Sequence, residues 1–192
     1  MRRIALLVLA IATIVVGTFA CDDSPSSPSG QAATFNLRIT DSPFSDARAV
    51  LVTFSEVTAH RSESAWTTIP FAGGAPSRTC DLKKLEGSED ILGAGPLPAG
   101  DYTQVRLVVQ SARLYFENPS VGPACATAIA APAGRMADLR IPSGEVKLNR
   151  GFKLETDATT TMLLDFDGDR SIHQTGNGTY MMSPVIGVVR VN

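Results

Sequence analysis

The chain has 192 residues, enough for one domain of ordinary size once an export leader is set aside. Apolar residues make up 44% and charged residues 19%, a balance that suits a globular body and excludes a disordered one. The formal net charge is −2, and no basic run stands ready to neutralise a phosphate backbone, so nucleic acid is not an expected partner.

The first element is a leader. Met1-Arg2-Arg3 precedes an almost wholly apolar run over 4–16, followed by Gly17-Thr18-Phe19-Ala20-Cys21. Two positive charges, a short apolar run and small residues before a cut site are the three regions of a secretory signal. The run falls short of the roughly 20 residues that a membrane span requires; an uncleaved signal anchor is the alternative. Thr18-Phe19-Ala20-Cys21 resembles the lipobox of bacterial lipoproteins, in which the cysteine thiol is acylated and becomes the new N-terminus. It departs from the usual pattern at Thr18, where leucine is common, and at Phe19, where a small residue is common. Thr18 and Ala20 would also satisfy ordinary signal peptidase, which leaves secretion without lipid as the other outcome. The cysteine at the cut and the Ser/Pro-rich stretch after it (DDSPSSPSG) favour a lipid and a polar tether. The expected organisation is a signal peptide over 1–20, a flexible tether over 21–32 and a folded body over 33–192. The expected location is the cell envelope, with Cys21 held in a bacterial membrane and the body facing the periplasm or the cell surface.

With Cys21 taken by lipid, Cys80 and Cys125 remain, an even pair in a compartment that permits disulfides, and a bridge between them is expected. Neither has a CxxC partner or a nearby histidine, which speaks against metal binding or redox catalysis.

From residue 33 the pattern is β. Phe35, Leu37 and Ile39 alternate with polar residues over 34–40. Val50, Val52 and Phe54 continue after the turn at Asp41-Ser42-Pro43, and the parity then slips to Val57 and Ala59, which predicts a β-bulge near Ser55-Glu56. A turn at Glu63-Ser64 leads to Trp66, Thr68 and Ile69. The segment 71–98 reads mostly as loop, with a short helical turn at 82–85. Thr103, Val105, Leu107 and Val109 form a strong strand that slips parity before Ala112, Leu114 and Phe116. The stretch 119–132, holding Cys125, reads as irregular. Short strands follow at 136–141, 145–149 and 151–154, then 159–166 with Met162, Leu164 and Phe166 inward. Asn177-Gly178 predicts a type I′ hairpin turn, and the last strand, 179–191, is interrupted at Pro184. The expected fold is all-β: a sandwich, Ig-like or prealbumin-like, mostly antiparallel with long irregular loops. A β-barrel is the alternative.

Several of these segments together resemble a known family. Leu37-Arg38-Ile39-Thr40-Asp41-Ser42-Pro43 and Leu97-Pro98-Ala99-Gly100-Asp101-Tyr102-Thr103-Gln104-Val105-Arg106-Leu107 are similar to the domain of unknown function DUF4382. So are Val146-Lys147-Leu148-Asn149-Arg150-Gly151-Phe152, Leu164-Asp165-Phe166-Asp167, and the closing TGNGTY and SPVI segments. The resemblance spans about residues 33–190 in order. It implies an envelope lipoprotein with a β-architecture and carries no catalytic residues.

Chemistry is sparse. Asp165, Asp167 and Asp169 place carboxylates at alternate positions, as in a calcium loop, but Gly168 and the missing closing glutamate depart from an EF-hand, and turn chemistry at Asp167-Gly168 explains the composition without a metal. No other cofactor is expected. His60 and His173 are the only imidazoles, and no nucleophile elbow, zinc-helix motif or phosphate-cradling loop is present, so catalysis is not expected. Trp66, Tyr102, Tyr115 and Tyr180 are candidates for a sugar-stacking platform, against which stands packing in the core or at a sheet edge. The expected function is a non-catalytic, lipid-anchored envelope domain for binding or assembly, with a protein or carbohydrate of the envelope as partner. A calcium- or carbohydrate-binding extracytoplasmic domain is the alternative.

Overall fold

Strict alternation of apolar and polar side chains sets the architecture. The computed structural model describes residues 31–42 and 45–192; the leader, Cys21 and nearly all of the tether lie outside the described residues. In strand β1 (Ala32–Ser42) Phe35, Leu37 and Ile39 are fully buried, with polar neighbours half-exposed between them. The chain continues through β2 (Ala49–Arg61), β3 (Trp66–Thr68), β4 (Arg78–Asp81), β5 (Asp90–Pro98), β6 (Gly100–Tyr115) and β7 (Cys125–Ala126). Then follow β8 (Met136–Arg140), β9 (Glu145–Leu148), β10 (Phe152–Leu154), β11 (Thr159–Asp167), a one-turn helix α1 (Gly168–Ser171), β12 (Ile172–Gln174), β13 (Tyr180–Met182) and β14 (Ile186–Val191). Leu82–Leu85 forms the expected helical turn, as 3-10.

The strands make two sheets, an all-β sandwich. The smaller has four strands in the order β14-β11-β1-β5, and the larger, which curls into half a barrel, follows β12-β13-β8-β6-β2-β4-β7, with β3 added to β2 and with β9 and β10 added to β6. Pairing is mostly antiparallel. The β1–β11 pair is parallel, with Thr34 opposite Thr159 and Ser42 opposite Asp167. The inner faces bury Met162, Leu164 and Phe166 of β11 against Val50, Val52 and Phe54 of β2 and Val105, Leu107 and Leu114 of β6. Near the start of β1, Phe35 and Tyr102 stack on either side of Phe152 at 5.2 and 5.1 Å between ring centroids.

The two parity slips are β-bulges that offset one another. Between Thr53 and Phe54 the β6 strand carries an extra residue, Gln110, and between Phe54 and Glu56 the β2 strand carries an extra residue, Ser55. Each insertion alone would turn one strand's apolar set outward; in tandem they keep both sets in the core. A third slip, between His60 and Arg61, leaves Thr103 as the extra residue. Thr103 is therefore exposed, and Tyr102 takes the inward position assigned to it from the sequence.

Three further expectations change. The segment 71–98 is not mostly loop: it contributes β4, and β5 pairs along β1 from Ala32 opposite Pro98 to Ile39 opposite Asp90. The stretch 119–132 contributes β7, which pairs with β4. The Asn177-Gly178 turn is not type I′, since Gly178 has φ 82° while Asn177 stays out of the left-handed region. The Thr175 carbonyl accepts from the Gly178 N–H at 2.9 Å, and the Thr175 N–H donates to the Thr179 carbonyl at 2.8 Å. This is a three-residue loop closed by a left-handed glycine. The break at Pro184 has a structural purpose as well, because β13 belongs to the large sheet and β14 to the small one.

Asp81, fully buried, ties three segments together. Its Oδ1 accepts from the backbone N–H groups of Val50 (3.0 Å) and Lys83 (3.1 Å), and its Oδ2 accepts from the Ser120 hydroxyl at 2.6 Å. Asp81→Ala leaves the Val50 N–H and the Ser120 hydroxyl unsatisfied in the interior. The expected loss of stability is about 3 kcal/mol, to be read from urea unfolding; a loss below about 1 kcal/mol would show that other groups or water replace the carboxylate.

Candidate functional site

A deep concavity lies where a strand changes partners. Residues Met136 to Asp138 of β8 pair with β6, but Leu139 and Arg140 pair with Tyr180 and Met181 of β13 in parallel. The departure of β8 from the sheet, together with the hairpin loop after β12, encloses a cleft of about 620 Å³ lined among others by Arg140, Ile141, Pro142, Asn177 and Met181. That volume is within the range of small-ligand sites, roughly 300–1,000 Å³. A second depression of about 420 Å³ also touches Pro142 and continues between β9 and the segment 182–185. Register places Arg140 beside Met181 on one face of the sheet. Arg140 is the single ionisable side chain lining the larger cleft.

A second feature sits at the C-terminal ends of β1 and β11. Asp41 continues the inward parity of Phe35, Leu37 and Ile39, is 5% exposed, and offers two carboxylate oxygens that have no hydrogen-bond partner. Burial raises its pKa to about 8, helped by the negative charges of Glu86, Asp165 and Asp167 and opposed by Lys83. The carboxyl is therefore protonated at neutral pH. The sequence carried a sign of this residue: an acidic side chain in the inward phase of an alternating strand.

The three aspartates considered for calcium do different things. Asp165 accepts from the Ser42 hydroxyl at 3.1 Å, Asp167 caps α1 by accepting from the Arg170 N–H at 3.0 Å, and Asp169 is exposed on the helical turn. Among the described residues no three His, Cys, Asp or Glu side chains are grouped so as to hold a metal ion.

The four aromatics do not share a platform. Tyr102 is buried, with its hydroxyl donating to the Pro98 carbonyl at 2.8 Å; Tyr115 is buried; Tyr180 is half-buried against Phe116 at 5.5 Å between centroids. Trp66 alone is on the surface, 36% exposed, with the Arg106 guanidinium 4.6 Å from its ring centre and His60 beside it at 5.0 Å. His60 Nδ1 lies 3.1 Å from the Thr103 hydroxyl, while His173 is exposed on β12. The two imidazoles therefore stand on strands at different places in the large sheet.

Cys80 and Cys125 are bonded, and the backbone explains why: they are register partners in the β4–β7 pair, with Cα atoms 4.1 Å apart. On the outer face of the small sheet, Leu163 has the register of a surface residue yet is buried. Its neighbours Arg38 and Arg190 both pair with Glu89, at 2.7 and 2.8 Å, and cover it. The Arg190 hydrogen bond, followed by that of Arg38, holds the Glu89 carboxyl below its ordinary pKa.

A family model described as "Domain of unknown function (DUF4382)" matches residues 32–184. No curated protein and no solved structure matches the chain. The matched region takes in both sheets up to the corner at Pro184, including the residues of both depressions except Val185. The chain belongs to the DUF4382 family.

Proposed function

We propose that this protein is a lipid-anchored extracytoplasmic module that binds without catalysing, and that it holds its ligand in the cleft between β8 and β13. The observation that carries the reading is the composition of that cleft. Its one ionisable lining group is Arg140, and a guanidinium offers hydrogen-bond donors and no acceptor. Such a cleft can orient an acceptor-rich ligand against Ile141, Pro142 and Met181, but it has no group to take or give a proton. The anchor is supported by the leader, by Cys21 and by the polar stretch that leads to β1, where the Gln31 carbonyl, just before the strand, accepts from the Ala99 N–H at 2.8 Å. The exposed Trp66, stacked on Arg106, is the observation that favours a carbohydrate as second ligand class.

Cys21→Ser tests the anchor. The unaltered protein is expected in the detergent phase after cloud-point extraction, with a diacylglyceryl mass on its N-terminal peptide; the variant is expected in the aqueous phase. An unmodified Cys21 in the mature protein ends the lipid reading and leaves simple secretion.

A further inference from the structure

We propose that the cleft at the β8–β13 join receives the C-terminal end of an extended peptide, its terminal carboxylate on Arg140 and its last side chain on Ile141, Pro142 and Met181. The proposal rests on the binding-module reading and gives it a ligand class.

Charge complementarity carries the first part. Among the described residues the Arg140 side chain has neither ion pair nor hydrogen bond, although it lines a cleft of about 620 Å³. A guanidinium presents its donors as a planar fork that matches a carboxylate in two parallel hydrogen bonds. Across the cleft, the Asn177 carboxamide oxygen is already occupied: it accepts from the Thr179 N–H at 3.2 Å and from the Thr175 hydroxyl. The NH₂ end of Asn177 is left as a donor. Arg140 and the Asn177 amide both donate, while the hydroxyls of Thr175 and Thr179 in the same lining serve either way; the ligand group that the paired donors fit is an anionic acceptor.

The shape of the groove carries the second part. Both depressions touch Pro142, so the concavity continues from Arg140 along β9. Among the described residues, strand β9 pairs with β6 and with no other strand. The Val109 N–H donates to the Gly144 carbonyl at 2.8 Å, which fixes the alternation of the β6–β9 ladder. In that alternation Val146 and Leu148 turn their backbone groups to β6, and Glu145 and Lys147 turn theirs to the open edge. The Glu145 carbonyl accepts from the Ser143 hydroxyl at 2.8 Å, and the backbone of Lys147 remains for a new strand. A peptide running antiparallel to β9 would pair there and reach Arg140 with its last residue. Main-chain pairing supplies affinity, and carboxylate capture sets which end of the chain is read.

The test uses the full lipidated protein in detergent and a set of acetylated hexapeptides ending in Ala, Val, Leu or Phe, each as free acid and as C-terminal amide. Free acids are expected to bind about tenfold or more tightly than their amides by isothermal titration, the weight of one charge-assisted hydrogen-bonded pair. Arg140→Gln is expected to erase that difference without changing the melting temperature, since Arg140 is exposed. Arg48→Gln, at another exposed arginine outside this cleft, is expected to leave it intact. Equal binding of acid and amide, unchanged acid binding in Arg140→Gln, or no binding at millimolar peptide would each overturn the proposal. An oligogalacturonate arm separates the two levels. Should it bind and depend on Arg140 while the peptides do not, the peptide falls and the binding cleft stands; failure of both removes the cleft reading as well.

Discussion

Asp41→Asn is expected to make the protein more stable at pH 8, and by an amount that shrinks to nothing near pH 4. The Asp41 carboxyl has an ordinary pKa of 3.8 and is raised to about 8 in the fold, first by burial and then by the charges of Glu86 and Asp165. Between those limits the unfolded chain has released a proton that the folded protein still holds. Stability must therefore fall as pH rises from about 4 to about 8, and it levels off once the folded carboxyl has ionised as well. At about 1.4 kcal/mol per pH unit the interval sets a ceiling of about 6 kcal/mol, and movement of Glu86 and Lys83 would reduce it to roughly 2–3. An amide of the same size has no charge to desolvate. Denaturant unfolding of both proteins at pH 4, 6 and 8 gives the check: the curves should coincide at low pH and separate at high pH. If Asp41→Asn unfolds at equal or lower denaturant at pH 8, the carboxyl has a partner that compensates its burial.

The second large effect belongs to Cys80 and Cys125. The bond closes a sequence separation of 45 residues, containing β5 and β6 among other elements. In the chain-entropy account, opening such a loop costs about 4 kcal/mol through the unfolded state. The folded state loses something too. Strand β7 has only two residues; the Cys125 N–H donates to Asp90 at 3.0 Å, and the Cys125 carbonyl accepts from Arg78 at 3.3 Å. The double replacement Cys80→Ala with Cys125→Ala is expected to lower the melting temperature by about 10 °C in a domain of this size. Calorimetry with and without reductant checks it, and a reductant-insensitive Tm equal to that of the double variant would show the bond to be absent in the expressed protein.

Side-chain period made most of the fold legible. The inward residues of β1, β2, β6 and β11 could be read by alternation, and even the bulges at Ser55 and Gln110 showed as slips of phase. The β5 strand could not be read, for a steric reason. It lies under residue 70, with the Ala94 N–H donating to the Pro70 carbonyl at 2.9 Å. A Cβ on Gly95 would come within 2.6 Å of the Pro70 ring, and one on Gly93 within 2.9 Å of its carbonyl oxygen. Side chains that would have displayed a period are excluded there, so the strand looks like a glycine-rich loop. Thr103 was misassigned because the third bulge falls at the end of β2, where no apolar run follows to reveal the slip.

The cleft was out of reach for a different reason. Arg140 is about forty residues from Asn177 and Met181, and the turn signal at Asn177-Gly178 says nothing of what lies opposite it. The three residues meet because β8 exchanges β6 for β13, a switch of partner that local pattern does not encode. The aspartate run at 165–169 was visible, but its division of labour depends on the parallel register that sets Ser42 near Asp165.

That parallel register also dictates an order of assembly. The first strand of the described residues stands in the middle of the small sheet, and one of its two neighbours, β11, ends only at Asp167. Until β11 arrives, Phe35, Leu37 and Ile39 have half their ladder missing, and the loop entropy of so distant a pairing slows the closing step. The small sheet is thus completed late, after the β2–β6 framework is available to receive it. Until β11 follows, that side of β1 is an open row of backbone donors and acceptors, the kind of edge on which wrong pairings start.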